Sequence, residues 1–204
     1  DSWIDIPGHG SAKINETLQD GGPELVATTL EQMTGIHIDY WVMTGFQGFV
    51  GILKRVGGIP VHVPIDLNDP SGSGASMSAG NHKLYGLAAL SFLRDRHDFP
   101  QGDLDRTTNQ GTFLVDMLKK LRSQAADNPA ELFKWIAAGR QYTRFDLPAD
   151  EMFRLGILAT QLKPGHIRVV TVPATTGMVG AESVVYISSG ASAIYARFRK
   201  NASL

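Results

Sequence analysis

The amino-acid sequence predicts an α/β fold with helices over a largely central sheet. Segments whose apolar residues recur at helical spacing alternate with short runs rich in β-branched and aromatic residues, and glycine or proline separates most of them. This alternation is typical of a sheet layered with helices. A length of 204 residues suits one domain with a sizeable core, and the sequence contains no internal repeat or interdomain linker. We therefore predict a single domain over residues 1–204.

Signals for strands and helices follow one another along the first half of the chain. Helices are predicted where apolar residues share one face and a glycine or proline marks an end, and strands where β-branched or alternating residues dominate. The predicted elements are a strand end at 4–6, a helix opened by Gly21-Gly22-Pro23 and ended by Gly35, a strand at 36–43, a helix at 46–56 and a strand at 59–65.

The second half is richer in helix. A helix rich in leucine and alanine is predicted at 84–93, and a longer amphipathic helix is predicted to start at Leu104. The remaining predicted elements are a helix begun by Asn128-Pro129 and closed by Gly139, a helix at 150–162, strands at 167–172 and 183–187, and a final helix at 191–199.

Composition excludes several classes of protein. The formal net charge is −1, whereas a general nucleic-acid binder shows a basic excess. Cysteine is absent, which excludes disulfides, thiolate metal sites and cysteine nucleophiles. No apolar run reaches the length of a membrane span. The chain starts with Asp-Ser-Trp and lacks an initial methionine, so we expect a domain truncated at its N-terminal side.

The stretch from 94 to 110, R-D-R-H-D-F-P-Q-G-D-L-D-R-T-T-N-Q, has the strongest functional signal. Arg94 and Arg96 are two apart, so their side chains project to the same side of an extended segment. Arg106 and Gln110 are four apart and share a helix face. A helical projection puts these two in the apolar stripe that Phe113 and its neighbours define.

An inward-facing arginine needs an anionic partner, because burial of an unpaired guanidinium costs several kcal/mol. Arg106 also lies in a first turn, where the helix dipole disfavours a cation. An anion held by the helix N-terminus and three arginines explains both features. The alternative is an internal network of salt bridges, in which the arginines pair with Asp95, Asp98, Asp103 and Asp105.

A set of short motifs, in order, carries a family resemblance. The chain is similar to the LytR-CpsA-Psr family from residue 1 to about residue 122, and the match beyond is looser. The matching motifs are K-I-N at 13–15, G-G at 21–22, T-G-I-H-I-D-Y at 34–40, G-G-I-P-V at 57–61, G-L-A-A-L at 86–90, and R-D-R-H followed by G-D-L-D-R-T-T-N-Q within 94–110.

The resemblance implies a central mixed sheet in an α-β-α sandwich, and a phosphotransferase of the bacterial cell envelope. Such an enzyme moves a glycopolymer from a polyprenyl-pyrophosphate carrier to peptidoglycan or, in some members, to a protein acceptor. It works at the extracytoplasmic face of the cell membrane, to which an N-terminal helix anchors it. The family uses Mg²⁺ to neutralise the pyrophosphate and holds the polyprenyl tail in an apolar groove.

The resemblance also assigns candidate residues. Arg94, Arg96 and Arg106 match the catalytic head-group positions, and the metal ligands are expected upstream of this chain. Asn109 occupies a position where many relatives have arginine, so the second phosphate is expected to be bound differently here. The substrate-binding candidates are Lys13, Gln110, Asp1, Asp103 and Asn109.

Three functions use the same arginines. The first is glycopolymer transfer, and the second is a module that binds the lipid carrier or the polymer without catalysis. The third is hydrolysis of the pyrophosphate, with water in place of a sugar hydroxyl. The stripe that includes Phe113, Leu114 and Met117 offers a place for an isoprenoid tail, although core packing also explains at least half of it.

Overall fold

The structure is a computed structural model that describes residues 2–163, 165 and 167–201. The helices are α1 (Thr17–Thr34), α2 (Phe46–Val56), α3 (Gly86–Arg94), α4 (Asp103–Asp127), α5 (Ala130–Tyr142), α6 (Ala149–Gln161) and α7 (Ala191–Asn201). The strands are β1 (Trp3–Ile6), β2 (Gly10–Lys13), β3 (Val42–Met43), β4 (Ile59–Val63), β5 (Leu67–Asp69), β6 (Ala75–Met77), β7 (Gly80–Leu84), β8 (Arg144–Phe145), β9 (Ala174–Val179) and β10 (Glu182–Ile187).

The described residues form two compact units. The first lies within Asp1–Trp41 and Val172–Leu204, and the second is Val42–Thr171. The first unit contains the ladders β1–β2 and β9–β10, with a parallel bridge between Ser2 and Val185. The charged stretch from 94 to 110 belongs entirely to the second unit. The single domain predicted from the sequence stays a prediction.

The mixture of helices and strands confirms the predicted α/β class. Within the described residues the strands pair as two-stranded antiparallel ladders, β1–β2, β3–β8, β4–β7, β5–β6 and β9–β10. The one central sheet that we expected is therefore represented by separate ladders in these ranges.

The core of the second unit forms where β4 and β7 meet α2, α3 and α4. Ile59, Val61 and Val63 of β4 are buried, while Pro60 and His62 between them are exposed, as the period of a strand requires. Other members of the same apolar cluster are Leu53, Val56, Leu67, Ala75, Leu84, Ala89, Phe92, Phe99, Phe113 and Ala138. This packing fixes the ends of α3 and α4, between which the charged loop lies.

Most predicted helices are confirmed, and α2 has the predicted bounds. In α1 the glycine pair is a kink, with Gly22 at φ +68°, so the regular helix does begin at Pro23. The predicted end of α5 at Gly139 is wrong, because the helix continues to Tyr142. A glycine inside a helix costs only about 1 kcal/mol relative to alanine, which the helix tolerates here.

Two predicted strands are wrong. Of the segment 36–43 only Val42–Met43 forms a strand, paired with β8. The segment 167–172 is not a strand, and β9 starts after it. Val169 lies against Gly111 of α4, where an added Cβ would come within 2.5 Å of Val169 Cγ1. The hydroxyls of Thr108 and Thr171 are also 3.1 Å apart. The segment therefore packs on a helix and not beside a strand, although its side chains favour strand.

Candidate functional site

The candidate site lies where α3 ends and α4 begins, in the second unit. Arg94 is the last residue of α3, and a loop that carries Arg96 connects it to α4. Gly102 precedes α4 with φ +51°, a backbone conformation that glycine adopts most readily. Asp105, in the first turn of α4, accepts a hydrogen bond from the backbone N–H of Gln101 at 2.8 Å. This turn therefore has the acidic residues that the helix dipole favours.

Arg94 projects from the end of α3 and is exposed. Its Cζ lies 5.1 Å from the centroid of the Phe46 ring, at the start of α2. A guanidinium at this distance is attracted to the face of the ring. The aromatic ring thus holds Arg94 in place without neutralising its charge. The two-residue spacing predicted an extended segment that contains both Arg94 and Arg96, but Arg94 is helical.

Arg106 shares a carboxylate with Arg96. Asp103 Oδ1 lies 2.5 Å from Arg106 Nη2 and 3.9 Å from Arg96 Nη1. The Arg106 side chain is 27% exposed, so it is half-buried, whereas the sequence predicted that it faces inward. The salt-bridge alternative is correct for Asp103, which forms ion pairs with both of these arginines.

Two nitrogen atoms on this face of α4 have no hydrogen-bond partner within the described ranges. They are Arg106 Nε and Asn109 Nδ2, and both are buried. The two residues are three apart, so their side chains are neighbours on the helix. A buried donor without an acceptor costs about 1–3 kcal/mol. An anionic or other oxygen-rich group placed here would relieve that cost.

Gln110 is exposed and does not face the core as predicted. Its Nε2 donates a hydrogen bond to the carbonyl oxygen of Leu93 at 3.0 Å. That carbonyl lies in the last turn of α3, where helical carbonyls lack partners within the helix. Gln110 therefore ties α4 to the turn that carries Arg94.

An apolar pocket of about 440 Å³ lies beside these residues, within the second unit. Leu114 and Phe46 are 65% and 61% exposed, so apolar surface is accessible at this position. Met117, expected in the same stripe, packs against the core instead. The pocket is lined by Thr44, Gly45, Phe46, Phe49, Leu90, Leu93, Arg94, Gln110, Phe113 and Leu114.

Phe46, Phe49 and Thr44 were missed by sequence reasoning. The segment 46–56 was predicted only as a helix, since periodicity does not distinguish the wall of a pocket from a packed face. The available signal in the sequence was a phenylalanine in the first turn of the predicted helix. Thr44 Oγ1 donates to the carbonyl oxygen of Tyr142 at 2.9 Å, which fixes the entry to α2.

Lys13 belongs to the first unit. It ends β2, and its Nζ lies 2.8 Å from Glu182 Oε2. The Lys13 side chain is only 19% exposed, so it is not a solvated loop lysine. Its assignment to the phosphates stays a prediction. Asp1 lies outside the described residues.

The described residues do not supply a metal site of their own. In the part of the chain that the structure describes, no group of three or more histidines or acids could hold a metal ion. These residues therefore offer no set of three protein ligands for Mg²⁺. Within the same ranges, none of the helices combines the length and the apolarity needed to cross a bilayer.

The arginines of this stretch, of which Arg94 lies in the wall of an apolar pocket, form an arrangement that suits an amphiphilic molecule with an anionic head. The chain belongs to the LytR_cpsA_psr family, whose pattern matches residues 1–202. This finding confirms the resemblance that the motifs predicted.

Two curated relatives are similar over most of the chain. The cell wall biosynthesis protein LcpA of Corynebacterium glutamicum is 35% identical over 184 residues, which are 86% of this chain and 34% of the relative. The regulatory protein MsrR of Staphylococcus aureus is 31% identical over 175 residues, which are 85% of this chain and 52% of the relative. The chain thus spans about a third to a half of the length of these relatives.

Solved structures share the fold. TagV of B. subtilis matches with a TM-score of 0.86 at 22% identity, over 99% of this chain and 80% of TagV. A structure of TagT bound to LIIa-WTA matches with a TM-score of 0.79 at 22% identity, over 98% of this chain and 75% of TagT. These likenesses confirm the predicted fold.

Proposed function

We propose that this chain is the catalytic part of a phosphotransferase that moves a glycopolymer from a polyprenyl-pyrophosphate carrier to peptidoglycan or to a protein acceptor. The family and a relative named for cell wall biosynthesis support a role in the cell envelope. TagT, with the same fold, has been solved with LIIa-WTA bound. We place the activity at the extracytoplasmic face of the cell membrane, where such a carrier presents its polymer.

One observation carries the proposal. The apolar pocket has Arg94 and Gln110 in its wall, and the neighbouring face of α4 presents the unsatisfied Nε of Arg106. A polyprenyl pyrophosphate has an apolar chain joined to a strongly anionic head. The chain would suit the apolar pocket, and the head would suit the arginines. Guanidinium forks match phosphate oxygens better than lysine does.

The reaction requires little covalent chemistry from the protein. A hydroxyl of the acceptor attacks the phosphorus that carries the polymer, and the bond from that phosphorus to the bridging oxygen breaks. Polyprenyl phosphate leaves, and the hydroxyl proton passes to solvent or to a base. Positioning and charge stabilisation dominate such reactions. Arg94, Arg96 and Arg106 would hold the oxygens on which charge accumulates.

Magnesium is expected from the family, and we expect its ligands to lie outside the described residues. When bound, the ion would neutralise part of the pyrophosphate charge. The steps assigned to the three arginines do not depend on where it lies.

The decisive substitution is Arg106→Ala in the full-length protein. Loss of charge-assisted hydrogen bonds worth about 1.5–3 kcal/mol predicts roughly 10- to 100-fold weaker donor binding, and a larger loss in transfer. Arg154→Ala is the matched control, because Arg154 also pairs with an acid three residues earlier on a helix, Glu151, and does not line the pocket. Binding of a synthetic polyprenyl-pyrophosphate saccharide and release of polyprenyl phosphate are measured in parallel.

Undiminished transfer by the Arg106→Ala variant would refute the proposal. Donor binding by the wild type without release of polyprenyl phosphate, with acceptor and Mg²⁺ present, would identify a binding module instead. Release at the same rate with and without an acceptor glycan would identify a pyrophosphate hydrolase.

A further inference from the structure

Asp95 lies between Arg94 and Arg96 in the chain, and only one of its two carboxyl oxygens has a hydrogen-bond partner within the described residues. The residue is 0% exposed. Its Oδ1 accepts a hydrogen bond from the backbone N–H of Asp98 at 3.3 Å. Its Oδ2 is buried and has no hydrogen-bond partner in residues 2–163, 165 and 167–201. An ionised carboxylate in this position would leave a charged oxygen desolvated, which is costly.

Asp69, at the end of β5, is the contrasting case. It is also buried, at 7% exposure. Its two carboxylate oxygens accept hydrogen bonds from the backbone N–H groups of Gly72 at 3.0 Å and Ser73 at 2.7 Å, and His97 Nδ1 lies 3.1 Å from Oδ2. These donors, the N–H of Ser73 foremost, hold the pKa of Asp69 below its ordinary value. Burial alone therefore does not neutralise an acid here.

The surroundings of Asp95 have the opposite net effect, since they raise its pKa. Burial has the largest effect and raises the pKa of Asp95. The backbone N–H of Asp98 lowers this pKa, and the carboxylates of Asp98 and Asp69 raise it, so that the pKa lies above its ordinary value. His97 is already engaged by Asp69. Asp98 is itself fixed, since its Oδ2 accepts the backbone N–H of Asn68 at 2.6 Å. The side chains of Asp95 and Asp98 interact, so a proton on Asp95 would have an acceptor in the carboxylate of Asp98.

We propose that Asp95 is a positioning residue, which keeps a proton shared with Asp98 and so fixes the loop that presents Arg94 and Arg96 to an anionic ligand. The shared proton removes one negative charge between the two arginines, which favours an anion. This inference rests on the proposed function for its ligand, and on the buried acid pair for its mechanism.

The proton makes the arrangement dependent on pH. A folded-state pKa raised above the ordinary value of 3.8 gives a contribution to stability that is complete below 3.8 and is lost as the pH rises through the folded-state value. At higher pH the pair becomes two adjacent carboxylates, and we expect the loop to bind anions less well.

Two measurements test the inference on the whole chain. The first is an NMR titration of the side-chain carboxyl carbons, in which Asp95 should titrate above the ordinary value of an aspartate. Asp116, an acid paired with Lys119 on α4, supplies the control variant. The second is the affinity for inorganic pyrophosphate from about pH 4 to about pH 9, with each variant compared with the wild type so that the titration of the ligand cancels.

Asp95→Asn carries a permanent donor where the proton is proposed. The affinity of this variant should equal that of the wild type at low pH and exceed it increasingly at high pH, by roughly tenfold per pH unit if one proton is coupled. If Asp95→Asn folds poorly, Asp98→Asn provides the second test. It removes the neighbouring carboxylate that raises the pKa of Asp95, so the loss of affinity should begin at a lower pH than in the wild type. Asp116→Asn, the control, should follow the wild type throughout.

Titration of Asp95 at an ordinary value would overturn the inference. The inference would also be overturned if the ratio of the pyrophosphate affinities of Asp95→Asn and the wild type did not change with pH. A loss of affinity in Asp95→Asn that is the same at every pH would overturn it too, because the carboxylate would then be the active form. Absence of pyrophosphate binding by the wild type would count against the proposed function and against the positioning role, while the titration would still decide whether the proton is shared.

Discussion

Helix α4 contains two half-buried cations with very different surroundings. Near its middle, Lys120 Nζ donates to the carbonyl oxygens of Val56 at 2.7 Å, Gly57 at 2.9 Å and Gly58. In its first turn, Arg106 contacts Asp103, while its Nε has no acceptor in the described residues. The protein thus satisfies one cation completely and leaves the other with an unused donor.

This difference separates a structural cation from a binding one. The carbonyl groups that Lys120 reaches are those left without helical partners where α2 ends, so the lysine acts as a cap. Its burial lowers the pKa of Lys120 without creating any need for a ligand. Burial of a positive charge is therefore a weak functional signal, and an unsatisfied donor is a stronger one.

The largest expected effect is on stability. Lys120→Met should lower the free energy of unfolding by about 2–3 kcal/mol, because three carbonyl groups lose their donor while the alkyl chain is retained. Arg106→Ala should change it by less than about 1 kcal/mol, since a helical ion pair contributes little. Urea denaturation of both variants makes the comparison.

For the binding of pyrophosphate the order should be reversed, with Arg106→Ala the more strongly affected variant. Folded Lys120→Met should bind pyrophosphate like the wild type. If Arg106→Ala were the more destabilised of the two, Arg106 would be the structural cation and the comparison would be wrong.

The second effect concerns the apolar pocket. Leu114→Ser should weaken the binding of farnesyl pyrophosphate about fivefold, because about 1 kcal/mol of apolar contact is lost, and should leave inorganic pyrophosphate unaffected. Leu87→Ser is the matched control, as Leu87 is 67% exposed on α3 and does not line the pocket. Equal losses in the two variants, measured by calorimetry, would remove the pocket from the site.

The smallest effect concerns the ring beneath Arg94. Phe46→Leu removes an interaction worth about 0.5–1 kcal/mol and should weaken the binding of inorganic pyrophosphate two- to fivefold, roughly. Phe46→Tyr keeps the aromatic face and should bind like the wild type. Identical affinities for the two variants would show that the ring does not position Arg94.

The sequence predicted the helices better than the strands. Apolar spacing located α2 and the start of α4, because a helix depends on local periodicity. Strands require a partner that the sequence does not identify. The segment 167–172 has strand-forming residues, yet it packs against Gly111.

Within the site, the arginines were predictable and their surroundings were not. Apolar spacing and a position in the first turn of a helix are enough to mark Arg106 as unusual. The pocket wall at Phe46 and the capping role of Lys120 depend on contacts between residues distant in the sequence. Asp95 was considered only as a salt-bridge partner, because its burial and its proximity to Asp69 arise from tertiary packing.

A crystal structure with farnesyl pyrophosphate bound would test the central claim most directly. We predict phosphate oxygens within about 2.7–3.2 Å of the guanidinium nitrogens of Arg94 and Arg106, with the isoprenoid chain in the pocket between Phe46 and Leu114. A ligand bound elsewhere, or with its head directed away from both arginines, would contradict the assignment of the unsatisfied donors on α4 to an anionic head group.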